Sequence, residues 1–152
     1  MSGRSLLIAY HTQSGASASL ARAAAEGARE HIGRVDFHRC VDAGTTEVAA
    51  ASGLLLVCAE NSGRLAGGAK DFLDRVFYPL IARRCTLPYA LLISAGNDGS
   101  GAVAEASRIF RGIPFTQALD AKIIRGVPSP DDLRDVEEFG AAFAAGLSMG
   151  IF

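Results

Sequence analysis

The chain has 152 residues, of which 49% are hydrophobic and 20% are charged, and its formal net charge is −1. This length predicts one compact domain, which we place at residues 1–152, because domains usually hold roughly 100–200 residues. The composition is that of a folded globular protein and argues against a disordered chain. The balanced charge argues against a nucleic-acid partner, since polyanion binding needs clustered Lys and Arg.

Membrane and disulfide signals are weak. The longest apolar run, at 54–59, is far shorter than the roughly 20 residues that span a bilayer. The N-terminal apolar stretch at 6–9 is too short for a signal peptide and has no cleavage pattern. We therefore expect no membrane span and a cytoplasmic location. Cys40, Cys58 and Cys85 are odd in number and far apart, which predicts neither a disulfide framework nor a metal pair.

The first half of the chain alternates strands with helices. Residues 5–10 form an apolar run that is typical of a strand buried on both faces. An Ala-rich helix follows at 15–31, and the small side chains of its inward stripe, Leu20, Ala24 and Gly27, should let it sit close to the sheet. Residues 34–39 alternate apolar and polar side chains, as expected of an edge strand or one with a solvated face. A short helix at 45–52 precedes a second buried strand at 54–59.

A longer amphipathic helix is predicted at residues 69–80, where apolar side chains recur at helical spacing. Pro79 should end or bend this helix near Tyr78, because proline has no backbone N–H to donate to the preceding turn. Residues 89–95 then form another buried strand, and 101–111 form the next helix.

The last two elements complete the pattern. A weaker fifth strand is predicted at about 118–125, and the final helix begins at the Ser129 cap with Pro130 in its first turn. Five rounds of strand and helix predict an α/β fold with a single doubly wound parallel sheet of five strands. In such a sheet, ligands bind beyond the carboxyl ends of the strands, where the strand order reverses.

Three polar, glycine-rich loops follow the first, third and fourth predicted strands, at residues 11–17, 60–68 and 96–101. Because the carboxyl ends of parallel strands share one edge, these loops should form one composite site. The first loop places three hydroxyls and a glycine directly before a helix. The unpaired N–H groups and positive dipole end at that point suit a phosphate. A helix cap inside an ordinary serine-rich loop is the alternative.

Residues 12–17, Thr-Gln-Ser-Gly-Ala-Ser, resemble the flavodoxin phosphate signature [ST]-x-[ST]-G-x-[ST]. Residues 60–75 are similar to the second flavin loop and following helix of flavodoxin-like FMN reductases and quinone reductases. Residues 94–100 look like the third loop of these enzymes. The resemblance to the flavodoxin-like superfamily covers about residues 5–147 and implies the strand order 2-1-3-4-5.

The resemblance implies that FMN binds with its phosphate on the first loop and its ring between the second and third loops. The implied cofactor-binding residues are His11, Thr12, Gln13, Ser14, Gly15, Ala16, Ser17, Glu60, Asn61, Ser62, Gly63, Arg64, Gly67, Ser94, Ala95, Gly96, Asn97, Asp98 and Gly99. The glycines suit this role because a missing Cβ allows close backbone approach. The chemistry is expected on the flavin, with no metal and no catalytic triad.

One departure concerns the residues that would stack on the flavin. Ser62 and Arg64 occupy positions where relatives often carry aromatic residues, and the third loop has no aromatic residue. Either an open ring face admits a nicotinamide or quinone, or the site has lost FMN. Arg64 is expected to stack on the ring, stabilise the reduced anionic flavin or attract an NADPH phosphate, unless it is a solvated loop arginine. His11 either shapes the loop or adds charge, and Asp98 either binds the flavin or forms a turn.

The resemblance implies an FMN-dependent oxidoreductase that passes electrons from NAD(P)H to a quinone, flavin or similar small-molecule acceptor. A flavodoxin-type electron carrier that docks on redox partner proteins is one alternative, although such carriers are usually strongly acidic around the flavin. A cofactor-free binding module with the same fold is another. The sequence does not fix the oligomeric state, and by analogy with reductases whose neighbouring subunit completes the flavin pocket, a homo-oligomer is an alternative to a monomer.

Overall fold

The computed structural model describes residues 3–152, so residues 1 and 2 of the predicted domain lie outside the described part. The strands are β1 (Ser5–Tyr10), β2 (Arg34–Arg39), β3 (Gly53–Asn61), β4 (Arg64–Leu65), β5 (Pro88–Ala95), β6 (Thr116–Gln117) and β7 (Lys122–Arg125). The helices are α1 (Ala16–Arg29), α2 (Thr45–Ala50), α3 (Gly67–Ala82), α4 (Ser100–Gly112) and α5 (Pro130–Met149), with a 3-10 turn at Cys40–Asp42.

The strands form one sheet whose main path runs β2-β1-β3-β5-β6. The pairs along this path are parallel, and β7 also pairs in parallel with β5. Strand β4 pairs antiparallel with β3. The predicted α/β fold with a parallel sheet is confirmed. The prediction of five strands in the order 2-1-3-4-5 is wrong in its details, because the sheet has seven strands.

The two additional strands have separate origins. The second glycine-rich loop, predicted to be irregular, turns back on β3 and adds β4. The predicted fifth strand at 118–125 is divided into β6 and β7, which pair with opposite ends of β5. Residues 118–121 stand opposite only Ala90 and Leu91 of β5. The parallel ladder is interrupted there because the extra residues have no partners across the strand.

The sheet separates two apolar layers. On one side, Leu7 of β1 packs in a cluster with Phe72 of α3. On the other, Leu6 of the same strand packs in a cluster with Phe143 of α5. Burial on both faces explains why the central strands are continuous apolar runs. Strand β2, whose alternation predicts an edge position or a solvated face, lies at one end of the sheet and is mostly half-buried.

The small residues of α1 allow a close approach to α5. A Cβ added at Gly27 would lie 1.9 Å from the carbonyl oxygen of Glu137, and one added at Gly140 would lie 2.1 Å from the carbonyl oxygen of Ala24. The expectation that Gly27 lets α1 sit close to the sheet is therefore wrong for this residue. It faces the neighbouring helix, where any side chain would push the two backbones apart.

Helix α3 does not end near Tyr78, because it runs through Pro79 to Ala82. Pro79 is exposed and lies in the last turn, so its missing N–H removes one helical bond and its ring meets solvent. The carbonyl of Pro79 still accepts from the backbone N–H of Arg83 at 3.1 Å. Among the helices of residues 3–152, none has the length and apolar character required to cross a bilayer.

Candidate functional site

The first loop ends in an uncapped helix. Gly15 is the N-cap of α1 with φ 103°, a left-handed conformation that favours glycine. The N–H of Gly15 donates to Oγ1 of Thr12 at 3.0 Å, and no acidic residue lies in the first turn. Within residues 3–152, the amides of Ala16, Ser17 and Ala18 have no acceptor. The start of α1 therefore presents three free N–H groups and a positive dipole end.

The second loop is a tight hairpin. Ser62 and Gly63 connect β3 to β4 with φ of 50° and 76°, which is the backbone of a two-residue turn with positive φ at both positions. Asn61, just before the turn, donates from its Nδ2 atom to Oε1 of Gln13 at 2.9 Å. This bond joins the first and second loops, as the predicted composite site requires.

Glu60 connects the second loop to the third. Its Oε1 atom accepts from the N–H of Gly99 at 3.2 Å, and its Oε2 atom accepts from the N–H groups of Gly101 and Ala102 at 2.9 and 3.3 Å. The N-cap of α4, Gly99, has no side chain to cap the helix, so Glu60 supplies the missing acceptor across the chain. The side chain of Glu60 is therefore occupied by amides of the protein. Only its backbone groups remain available for the predicted cofactor binding.

The third loop is shaped by Asp98. Its Oδ1 atom accepts from both the backbone N–H and the hydroxyl of Ser100 at 3.0 Å. These hydrogen bonds from Ser100 lower the pKa of the Asp98 carboxyl, which is fully exposed. Arg125, at the end of β7, donates to the backbone carbonyl of Asp98 at 3.1 Å. This geometry agrees with the turn interpretation of Asp98.

A second carboxylate holds the hairpin against α4. Oε1 of Glu105 accepts from the N–H of Leu65 at 2.8 Å, and its Oε2 atom lies 3.8 Å from Nη1 of Arg64. The Arg64 side chain is 74% exposed, so it stays accessible to a ligand. The hairpin also lies directly on the helix, because a Cβ at Gly101 would meet the carbonyl oxygen of Gly63 at 1.9 Å.

His11 packs against the start of α3. Its backbone N–H donates to the carbonyl of Val57 at 2.9 Å. Its imidazole fills the space beside Gly68, where an added Cβ would lie 2.1 Å from Nδ1. These contacts agree with the loop-shaping interpretation of His11. Nearby Gly67 has nothing within 4 Å of an added Cβ.

A cleft of about 690 Å³ opens on the α1 and α5 side of this edge. It is lined by Ser14, Gly15, Ala16, Ser19, Arg22, Ser94, Ala95, Gly96, Gly126, Val127, Pro128 and Leu133. Half of these positions lie outside the predicted set, chiefly in α1 and in the turn after β7. Ligands bind beyond the carboxyl ends of parallel strands, and the turn after β7 lies at such an end. The predicted fifth strand could therefore have indicated that the turn at 126–128 belongs to the site.

The remaining predicted residues differ in exposure. Asn97 is exposed, whereas Ser17 is only 2% exposed. Burial raises the pKa of the Cys40 thiol to about 12 and raises that of Cys58 as well, so both are inert as nucleophiles at neutral pH. Across residues 3–152, no group of His, Cys, Asp and Glu side chains is arranged to hold a metal ion.

Comparisons with known proteins agree with this architecture. No protein-family model matches the sequence, and no curated protein matches it. Among solved structures, an archaeal flavodoxin matches with a TM-score of 0.83 and 19% identity, covering 94% of this chain and 98% of that one. A WrbA-like flavodoxin from Agrobacterium tumefaciens matches with a TM-score of 0.80 and 16% identity, covering 96% and 98%.

A larger protein contains the same fold as one part. The flavodiiron core of Flv1 from Synechocystis matches with a TM-score of 0.81 and 19% identity, covering 97% of this chain but 37% of that chain. At these identities the likeness shows the fold alone. The fold is flavodoxin-like, as the sequence resemblance implied.

Proposed function

We propose that this flavodoxin-like protein binds FMN and passes electrons from NAD(P)H to a quinone, flavin or similar small acceptor. The observation that carries the proposal is the start of α1, where three amides have no acceptor and the first turn has no acid. A phosphate dianion suits this arrangement, because it accepts several N–H bonds and interacts favourably with the positive helix end.

The residues of the first loop fit a phosphate. The Thr12 hydroxyl accepts from Gly15 and can still donate its own hydrogen outward. Ser14 is exposed beside the free amides and can donate as well. The Asn61–Gln13 bond holds the second loop next to the first. In this assignment the first loop holds the phosphate, and the hairpin and residues 96–99 orient the ring.

When bound, FMN supplies the hydride and electron transfer, and the chain supplies binding and orientation. The lack of aromatic residues in the second and third loops would leave the ring accessible to a second small molecule. Ser62 and Arg64 are exposed on the hairpin. This accessibility supports a reductase of small molecules, and the Arg64 cation suits an anionic electron donor.

The test is a titration of the purified protein with FMN, followed by flavin fluorescence. Ser14→Ala should weaken FMN binding by about tenfold, because one hydrogen bond to a charged group is lost. Ser148→Ala is the matched control, since Ser148 lies near the end of α5, at the opposite edge of the sheet. Protein loaded with FMN should then oxidise NAD(P)H when a quinone or free flavin is supplied.

The outcomes separate the alternatives. A wild-type protein that ignores FMN would remove the redox proposal and favour the cofactor-free binding module. Bound FMN without NAD(P)H oxidation, together with reduction in two separate one-electron steps, would instead favour the electron carrier.

A further inference from the structure

The C-terminal ends of α3 and α4 form a cationic surface. The two ends are adjacent, because a Cβ added at Gly112 would lie 2.9 Å from the Cζ atom of Phe77. The exposed cations of this region are Arg83, Arg84, Arg108 and Arg111. None of the four has an ion-pair partner within residues 3–152. These four side chains define the arginine surface, whose charge is not balanced by neighbouring acids.

Apolar side chains of α3 are exposed beside the arginines. Tyr78 is 76% exposed and Ile81 is 37% exposed, and the two lie three positions apart on the helix, on neighbouring parts of its surface. The Tyr78 ring meets the half-buried Phe77 ring edge to face, with the ring centroids 5.1 Å apart. Tyrosine and arginine are enriched in protein–protein interfaces and carry much of their binding energy. An exposed tyrosine beside unpaired arginines therefore favours a protein as the partner of this surface.

A groove of about 210 Å³ between α1 and α5 carries the opposite charge. Its lining residues are Gly27, Glu30, Arg134, Glu137, Glu138 and Ala141. Arg134 pairs with Asp131 of its own helix. The three glutamates are exposed and have no ion-pair partner within residues 3–152. The glutamates therefore leave this acidic groove with carboxylates that are free to accept hydrogen bonds from cations.

The two charged surfaces lie on opposite sides of the sheet, because α3 and α4 cover one face and α1 and α5 cover the other. The formal net charge of the chain is only −1, so its positive and negative charges are separated in space but almost equal in number. Two copies therefore repel each other little as whole molecules, while the arginine surface of one attracts the acidic groove of the other. A contact of this kind joins two different patches and can repeat from copy to copy.

We propose that a second copy of this chain docks its acidic groove on the arginine surface, head to tail. The arginine guanidinium groups pair with the groove glutamates, and Tyr78 supplies the aromatic contact. Neither surface contains a residue of the loops at 11–17, 60–68 or 96–101, so the candidate cofactor site stays open in the assembly. The inference does not depend on the proposed function, and the contact differs from one that completes a flavin pocket.

The experiment measures self-association of the full chain by sedimentation velocity at increasing protein concentration. Wild type should associate at about 0.01 M ionic strength and dissociate at about 1 M, because the screening length falls from about 30 Å to about 3 Å. Arg111→Glu reverses a charge of the arginine surface, and Glu138→Arg reverses one of the groove. Each should weaken association by at least about tenfold. Arg39→Glu, at the exposed end of β2, makes the same charge change outside both surfaces and should associate like wild type.

Mixing the two charge-reversal variants tests whether the two surfaces meet each other. The intact groove of Arg111→Glu can bind the intact arginine surface of Glu138→Arg, so an equimolar mixture should regain association that neither variant shows alone. The inference is overturned if wild type stays monomeric at low ionic strength. It is also overturned if both variants associate like Arg39→Glu, or if the mixture associates no better than the separate variants.

Discussion

Helices α1 and α4 both begin beyond the carboxyl edge of the sheet, and each has a glycine in the left-handed conformation as its N-cap. Their first turns are satisfied differently. At α4, Glu60 accepts from the amides of Gly99, Gly101 and Ala102, and Asp98 accepts from that of Ser100. At α1, the N-cap amide of Gly15 donates to Thr12, but the amides of Ala16, Ser17 and Ala18 have no acceptor in the described chain. The protein supplies the acceptors at one helix start and leaves three amides open at the other.

The two helix starts differ because a carboxylate from another loop contacts the start of α4. Glu60 comes from the second loop, and the hairpin that begins there folds over α4 with Gly63 directly on Gly101. No carboxylate reaches the start of α1 in the same way within residues 3–152. An unfilled helix start costs stability because its polar groups lack partners. Under the proposed function, a bound phosphate would supply the missing acceptors at α1.

The largest expected effect comes from removing the acceptor at α4. Glu60→Ala should lower the free energy of unfolding by about 3 kcal/mol, because three amides lose hydrogen bonds to a charged group. Denaturant unfolding measures this change. The matched change at α1, Ser14→Ala, should stay within about 0.5 kcal/mol. Equal losses in the two variants would show that the two helix starts do not differ.

The contact between the hairpin and α4 can be broken sterically. Gly101→Ala places a Cβ against the carbonyl of Gly63 and should lower the free energy of unfolding by about 2 kcal/mol. Gly96→Ala is the control in the same loop, because nothing lies within 4 Å of its added Cβ. Thermal unfolding of both variants checks the difference. Equal stability of the two would mean that the hairpin does not rest on the helix.

Added charge should act with opposite sign at the two helices. Ala16→Asp places a carboxylate beside the free amides of α1 and should raise the free energy of unfolding by about 0.5 kcal/mol. Ser100→Asp places one beside Glu60 and Asp98, and should lower it by about the same amount through like-charge repulsion. Both shifts are read from unfolding at low salt, since screening reduces them. The account is contradicted if Ser100→Asp stabilises the protein as much as Ala16→Asp does.

The smallest expected effect concerns pH. Because the pKa of Asp98 is lower in the folded protein, its contribution to stability is present above the ordinary pKa of aspartate. It is lost as the pH falls through the folded value. Wild type and Asp98→Asn should therefore differ in Tm at about pH 6 and converge at about pH 2. A difference that grows as the pH falls would have the wrong sign.

Much of this architecture is local enough to be predicted from the sequence. The apolar run at 5–10 predicts β1, and the alternation at 34–39 predicts β2. Both ranges match the strands of the structure. The polar loops after β1, β3 and β5 meet at one edge because parallel strands require it. The Ser129 cap of α5 is also present, with its hydroxyl accepting from the N–H of Asp132 at 3.0 Å.

What the sequence could not predict depends on pairing between distant segments. The division of the fifth strand follows from its register against β5, in which 118–121 face too few partners. The bonds of Glu60 to α4 span about 40 positions, so no local pattern indicates that its side chain caps a helix. Ser62 is an uncommon residue for a turn with positive φ, so the sequence does not predict the hairpin.

The central claim, that the start of α1 is an anion site and the start of α4 is not, is tested most directly by FMN-dependent stabilisation. The Tm of wild type, Ala16→Asp and Ser100→Asp would be measured with and without FMN. A ligand that binds the folded state raises its Tm, so FMN should stabilise wild type and Ser100→Asp. In Ala16→Asp the added carboxylate should repel the phosphate and weaken FMN binding by about tenfold or more. Equal stabilisation of all three proteins would contradict the claim.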